Sequence, residues 1–275
     1  MKLRLYHHHD GARIAYREAG TGPPLVLLHS ALLSHREFEP LVEELSDRFR
    51  LVLPDLPLHG DSEDRPGHPY SPDWIAEVIA GFCRETSGPR PLVGGHDVGA
   101  QLLPRAVASG RLRPGRLVLM SSALHRQPAS RSFERGVRAA GRTAAVPGLA
   151  RLVARGARLA GEHIVAHARP AERDLVHHAL AGLDGNADRA RAWAHALRRW
   201  PAGEQADLLD AYRRLEGVPT LLLWAQEDDR HPAAIADEVL ELAPGAQLRV
   251  LPGTGFLMAY DDPVGVAREL AAFCA

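Results

Sequence analysis

Short apolar runs alternate with stretches of helical spacing through the first part of the chain. Leu3–Tyr6 and Arg13–Ala19 read as two strands, and Asp10-Gly11 between them is a hairpin-turn signal. Leu25–Leu28, Arg50–Pro54, Pro91–Val93 and Gly115–Ser122 are further strands, each short and continuously apolar, as strands covered on both faces are. Phe38–Leu45 has helical periodicity. Ser71-Pro72-Asp73 reads as an N-cap followed by proline at the first helical position, opening a helix to about Thr86. From residue 123 to 216 the alternation stops. That segment is rich in Ala, Arg and Leu, shows no clear strand, and is punctuated by glycine and proline. Strands resume at Val218–Trp224 and Gln247–Leu251, and Asp262-Pro263 opens a closing helix. Strands alternating with helices predict an α/β fold with a mostly parallel sheet. Its core comprises 1–122 and 217–275, with a helical insertion at 123–216.

The chemistry centres on Leu92-Val93-Gly94-Gly95-His96-Asp97-Val98-Gly99-Ala100. Strand, tight turn and helix in that order are the context of a nucleophile elbow. Gly95 and Gly99 flank the apex two residues either side, where the chain packs too closely for side chains. The apex is Asp97, where the usual motif has serine. A carboxylate is a poor hydrolytic nucleophile toward carbonyls, because attack gives an anhydride. It is competent toward saturated carbon bearing a leaving group, such as an epoxide or alkyl halide, where attack gives an ester.

These residues resemble the α/β-hydrolase superfamily and, within it, the Asp-nucleophile branch of epoxide hydrolases and haloalkane dehalogenases. The resemblance extends over most of the chain. His29-Ser30-Ala31-Leu32 is similar to the family's loop after its third strand, commonly His-Gly-x-Pro. It implies an oxyanion hole made by the backbone N–H groups of Ala31 and Val98. Asp55-Leu56-Pro57-Leu58-His59-Gly60-Asp61-Ser62 resembles a structural loop at the sheet's carboxyl edge. The insertion at 123–216 resembles the family's helical cap, which covers the nucleophile and excludes water. Asp210-Ala211-Tyr212-Arg213 resembles a cap segment whose tyrosine donates to an epoxide oxygen. A core tyrosine is the equal alternative for Tyr212. Trp224 and the loop through Pro232 resemble the family's Trp-Gly-x-x-Asp-x-x-x-Pro, which implies the triad acid at Asp228, with Asp229 as the alternative register. Pro252-Gly253-Thr254-Gly255-Phe256 aligns with the segment that carries the family's catalytic histidine, and the histidine position is Phe256.

Composition narrows the partners. The 275 residues carry a formal charge of -1, which gives no electrostatic basis for binding nucleic acid or a membrane surface. No apolar run reaches the length of about 20 residues needed to cross a bilayer. Two cysteines suggest no disulfide framework. The expectation is a cytoplasmic enzyme acting on a small molecule, with no organic cofactor and no metal. The oligomeric state is not legible. His7-His8-His9 reads as an exposed turn, since neighbours in a strand or turn point to opposite faces and cannot converge on one ion.

The absent histidine leaves four readings. In an epoxide-hydrolase-like enzyme the base comes from elsewhere: His96 beside the nucleophile, His125 after the sixth strand, a cap histidine, or Asp228 itself. In a non-hydrolytic cyclase, lyase or isomerase of natural-product biosynthesis, Asp97 works as general acid or base. A non-catalytic binder is the third reading. In the fourth, Phe256 is an engineered substitution that traps the ester. His29 reads as a buried structural histidine at the pocket.

Overall fold

The computed structural model describes residues 1–63, 67–123, 170–181 and 206–275, with scattered positions between 139 and 159 and between 188 and 196. One eight-stranded sheet has the order β1-β2-β4-β3-β5-β6-β7-β8. Its strands are β1 (Lys2–His7), β2 (Arg13–Ala19), β3 (Pro24–Leu28), β4 (Arg50–Pro54), β5 (Leu92–His96), β6 (Arg116–Met120), β7 (Thr220–Ala225) and β8 (Gln247–Leu251). The first hairpin and the β2–β4 pair are antiparallel. Every other pairing is parallel, as the alternating pattern predicts.

Period-two burial puts both faces of the central strands in an apolar core. On one face, Val26 and Leu28 of β3, Leu117 and Leu119 of β6, and Leu222 and Trp224 of β7 lie in one cluster. Helices α2 (Pro72–Ser87) and α3 (Val98–Ala108) cover it. On the other, Leu25 and Leu27, Val118 and Met120, and Leu221 and Leu223 form a second cluster. It is covered by α1 (Pro40–Leu45) and by the closing helix at Pro263–Cys274. Both α2 and the closing helix begin with the expected cap: Ser71 accepts from the Trp74 N–H, and Asp262 from the Gly265 N–H.

The connection after β3 carries α1 on one face of the sheet, whereas those after β4 and β5 carry α2 and α3 on the other. The loops following β3 and β5 therefore diverge at a switch point, the place where open α/β sheets form ligand crevices. Four loops crowd the carboxyl edge there, following β3, β5, β7 and β8. The predicted loop after β4 stands beside them, organised by the buried Asp55. Its Oδ1 accepts from the His35 N–H and Nδ1–H, both at 2.8 Å, and its Oδ2 from the Asp61 N–H at 2.9 Å.

The proposed cap at 123–216 falls largely outside the described residues, and His125 lies outside them. Two described helices belong to that range, α4 (Pro170–Ala181) and α5 (Ala206–Arg213). The histidine run differs from the exposed turn expected of it. His8 is buried, with Nδ1 2.9 Å from the Tyr6 hydroxyl, because the tight turn rolls its ring against α2. Ring and carboxylate atoms of His8, His9 and Glu77 lie within 4.8 Å of one another. No helix among the described residues is long and apolar enough to cross a membrane.

The elbow generates a stability prediction. A Cβ on Gly99 would sit 2.4 Å from the Leu28 carbonyl oxygen, backbone that cannot step aside. Gly99→Ala is expected to lower stability by about 2 kcal/mol or more in urea melts, despite alanine's higher helix propensity. Gly245→Ala, where nothing lies within 4 Å of the added carbon, is the control and leaves the midpoint close to wild type.

Candidate active site

Asp97 stands between the end of β5 and the first residue of α3, with φ 49° and ψ -113°. A non-glycine residue in this region is strained, and the strain is held by close packing. A Cβ on Gly95 would meet the Gly99 carbonyl carbon at 2.4 Å, so β5 and α3 touch backbone to backbone. The Asp97 N–H donates to the Ser121 carbonyl at 3.1 Å. The turn thereby thrusts the carboxylate out over the carboxyl edge of the sheet.

The two carboxylate oxygens face different groups. Oδ2 accepts from the Ala31 N–H at 3.1 Å. Oδ1 lies 3.4 Å from Nε2 of His231. The other nitrogen of that ring, Nδ1, is 2.9 Å from Oδ2 of Asp228. Asp97, His231 and Asp228 thus form a continuous carboxylate–imidazole–carboxylate chain. Val98 takes the first position of α3, where its N–H is one of the helix's unsatisfied donors.

The loop after β7 builds two of the three groups within four residues. Asp228 Oδ1 accepts from the backbone N–H groups of Arg230 at 2.9 Å and His231 at 3.2 Å, curling the loop over its own carboxylate. The Trp224 indole N–H donates to the His231 carbonyl at 2.8 Å. The Glu227 N–H donates to the Thr254 carbonyl at 2.8 Å and ties this loop to the one after β8. Asp228 is buried with Oδ2 on His231, whereas Asp229 is exposed.

The sequence reading of the site did not single out His231. The base candidates there are His96, His125, a cap histidine and Asp228, while the histidine that reaches Asp97 lies three residues past Asp228. The legible signal was Asp228-x-x-His231-Pro232, a carboxylate and imidazole at a spacing that one tight turn brings together. Phe256 lies beside this group with its ring stacked on His231, centroids 5.8 Å apart and planes at 28°.

Other predicted residues take supporting places. His29 is fully buried. Its Nδ1 donates to the Ser30 carbonyl and its Nε2 accepts from the Leu56 N–H, which fixes a neutral ring bracing two loops. Burial depresses its pKa. His59 is similar. Its Nε2 accepts from the Leu32 N–H at 3.1 Å, holding the left-handed Leu32 (φ 60°) beside Ala31, and burial lowers its pKa to about 3. His96 points its Nδ1 at Ser30 and Glu37 behind Asp97. Tyr212 does not join the group around Asp97. Its side chain is in the core under α3, with its hydroxyl 3.2 Å from Ser122 Oγ, and burial pushes its pKa up to about 12.

His231 carries the main electrostatic feature. Burial alone would favour its neutral form, but hydrogen bonds to Asp228 and Asp97 and their two charges outweigh this and raise its pKa to about 9. The reciprocal holds for the carboxylates. Burial disfavours their charge, yet His231 holds both Asp97 and Asp228 below the usual carboxylate range. Because the folded-state pKa of His231 is raised, its contribution to stability is full below about pH 6.5 and is lost as pH rises through about 9. Urea melts between pH 6 and 10 are expected to show this loss in the wild type and a flatter profile in His231→Gln.

With the geometry in place, comparison with known proteins is informative. The model of the alpha/beta hydrolase family matches residues 25–269. An uncharacterized protein of Mycobacterium tuberculosis is 25% identical over 270 residues, spanning 96% of this chain and 77% of the relative. Haloalkane dehalogenase 2 of Mycobacterium bovis is 37% identical over 90 residues, 33% of this chain and 32% of the relative. A thermophilic esterase from Thermogutta terrifontis superposes with a TM-score of 0.74 at 22% identity, covering 100% of this chain and 98% of that one. The family match over nearly the whole length, together with the sheet order and the strained turn at Asp97, places this chain in the alpha/beta hydrolase family.

Proposed function

We propose that the protein is a hydrolase of small, largely apolar epoxides that works through an ester of Asp97. The observation that carries this reading is the contact chain from Asp97 Oδ1 to His231 to Asp228, with the second Asp97 oxygen on the Ala31 N–H. The ionised Asp97 attacks a ring carbon through Oδ1, the C–O bond of the epoxide breaks, and an alkoxide forms. His231, charged at neutral pH, supplies the proton that neutralises it. Esterification removes the negative charge of Asp97, one of the two that hold the proton on His231. The ring, now neutral, takes a proton from water, and the hydroxide attacks the ester carbonyl carbon. Negative charge then develops on the oxygen facing the Ala31 N–H, where a donor already stands. Collapse expels the second oxygen of the diol as an alkoxide, which takes the remaining hydrogen of the added hydroxide and so regenerates the carboxylate; the first proton of the water stays on His231, and the cycle balances.

An epoxide suits this arrangement better than a halide. The leaving alkoxide needs the proton that His231 holds, whereas a halide needs none. The partial similarity to a haloalkane dehalogenase accords with displacement at saturated carbon. With a histidine against Asp97, the hydrolytic reading gains over the non-hydrolytic one, which rested on the lack of a base.

The test is intact-protein mass spectrometry and diol assay with styrene oxide. Wild type is expected to turn over without accumulating adduct. His231→Gln is expected to lose about 10²- to 10⁴-fold in turnover and to accumulate an adduct that maps to Asp97. Asp97→Asn should give neither adduct nor diol. A His231→Gln enzyme with undiminished turnover would refute the assignment of the base.

A further inference from the structure

Phe256 is half-buried where a turn after β8 meets the loop after β7. The turn is held firmly: Thr254 is buried with its hydroxyl on the Leu251 carbonyl, and the Gly255 N–H donates to Asp261 Oδ2 at 2.8 Å. Three nitrogen-bearing groups pack on this one ring. His231 stacks on it at 5.8 Å. The His96 ring is 4.9 Å away at 44°. The Arg230 guanidinium carbon lies 4.1 Å from its centroid. Arg230 in turn is ion-paired with Glu172 of α4.

We propose that Phe256 is a positioning residue, an aromatic platform that sets the His231 ring between Asp97 and Asp228 and links that setting to Arg230. The proposal rests on the assignment of His231 as the histidine of the reaction. The physical reason is twofold. A flat ring stacked at a small angle limits rotation of the imidazole out of the line joining its two carboxylates. The negative face of the ring also attracts a cation, so it favours the charged form that protonates the alkoxide. A histidine at position 256 would bring a weaker face that turns cationic on protonation, and would place a second basic ring against His96. The Nε2 of His96 is buried without a hydrogen-bond partner among the described residues, while its Nδ1 is taken by Ser30 and Glu37. An aromatic hydrocarbon is a compatible neighbour for it.

The charged and titratable groups around His231 are Asp228 and Arg230 on its own loop, Asp97 at the head of α3, and His96 at the end of β5. Behind these lie Glu37 against His96 and Glu172 against Arg230. Phe256→Leu leaves all six in place and removes only the aromatic face, so a change in His231 reports on the platform.

The experiment is an NMR pH titration of the protein labelled at histidine Cε1, with the His231 signal identified by its disappearance in His231→Gln. Wild type is expected to titrate at about 9. In Phe256→Leu the midpoint is expected to fall by about half a unit or more, while Phe256→Tyr stays near wild type. Phe256→Met repeats the comparison if the leucine variant does not fold. Styrene oxide turnover should fall in Phe256→Leu and be retained in Phe256→Tyr. An unchanged His231 midpoint in both aliphatic variants overturns the platform, as does a gain in turnover in Phe256→His. Failure of the hydrolytic reading looks different: His231→Gln would then leave styrene oxide turnover unchanged, whatever the midpoints do.

Discussion

Backbone contact between Gly99 and the Leu28 carbonyl is the constraint from which the site follows. It requires that the start of α3 lie directly on the end of β3, with no side chain between them. Given that approach, the chain between β5 and α3 has room for one residue in a left-handed conformation, and Asp97 occupies it. The same approach brings the loop after β3 to the carboxylate, so that Ala31 reaches Asp97 through its N–H. A strained apex and an oxygen anchored on Ala31 are both consequences of one close packing of backbone, and the other oxygen faces His231.

Charge then organises what the backbone has brought together. An imidazolium between two carboxylates is stable in a buried site only because each of its nitrogens faces an oxygen. This arrangement also gives a catalytic cycle its internal logic. In the proposed cycle the proton is held tightly while Asp97 is ionised and more loosely once Asp97 is an ester, since half of the flanking charge has gone. One histidine can therefore act first as acid and later as base. In that proposed cycle Tyr212, its hydroxyl on Ser122 in the core, takes no part.

Acid and histidine come from the same short loop, which changes what the loop after β8 has to do. Asp228 folds the β7 loop around its own carboxylate, and Trp224 holds the His231 carbonyl from below. The position after β8 is then available to an apolar ring. Phe256 fills it and packs against both His231 and Arg230, whose partner Glu172 belongs to α4 in the segment 123–216. A second ion pair, Arg36 to Asp174 at 3.3 Å, and the Trp193 indole on the Leu58 carbonyl dock the same segment elsewhere.

Much of this was determined by sequence alone. Apolar runs bounded by turn residues specify the central strands because these are covered on both faces, and β2, β4 and β8 lie within the predicted limits. The elbow was equally legible, since Gly95 and Gly99 two residues either side of Asp97 answer a local steric demand that any such turn makes. Asp228 could be found from the strand before it. His231 and Phe256 were decided by tertiary structure. Nothing local says that a ring three residues past Asp228 reaches across the sheet edge to Asp97, nor that Phe256 lies flat against it. Those contacts join β5, β7 and β8, segments far apart in the chain. They exist because parallel pairing sets the three carboxyl ends side by side, a distance that residue spacing does not encode.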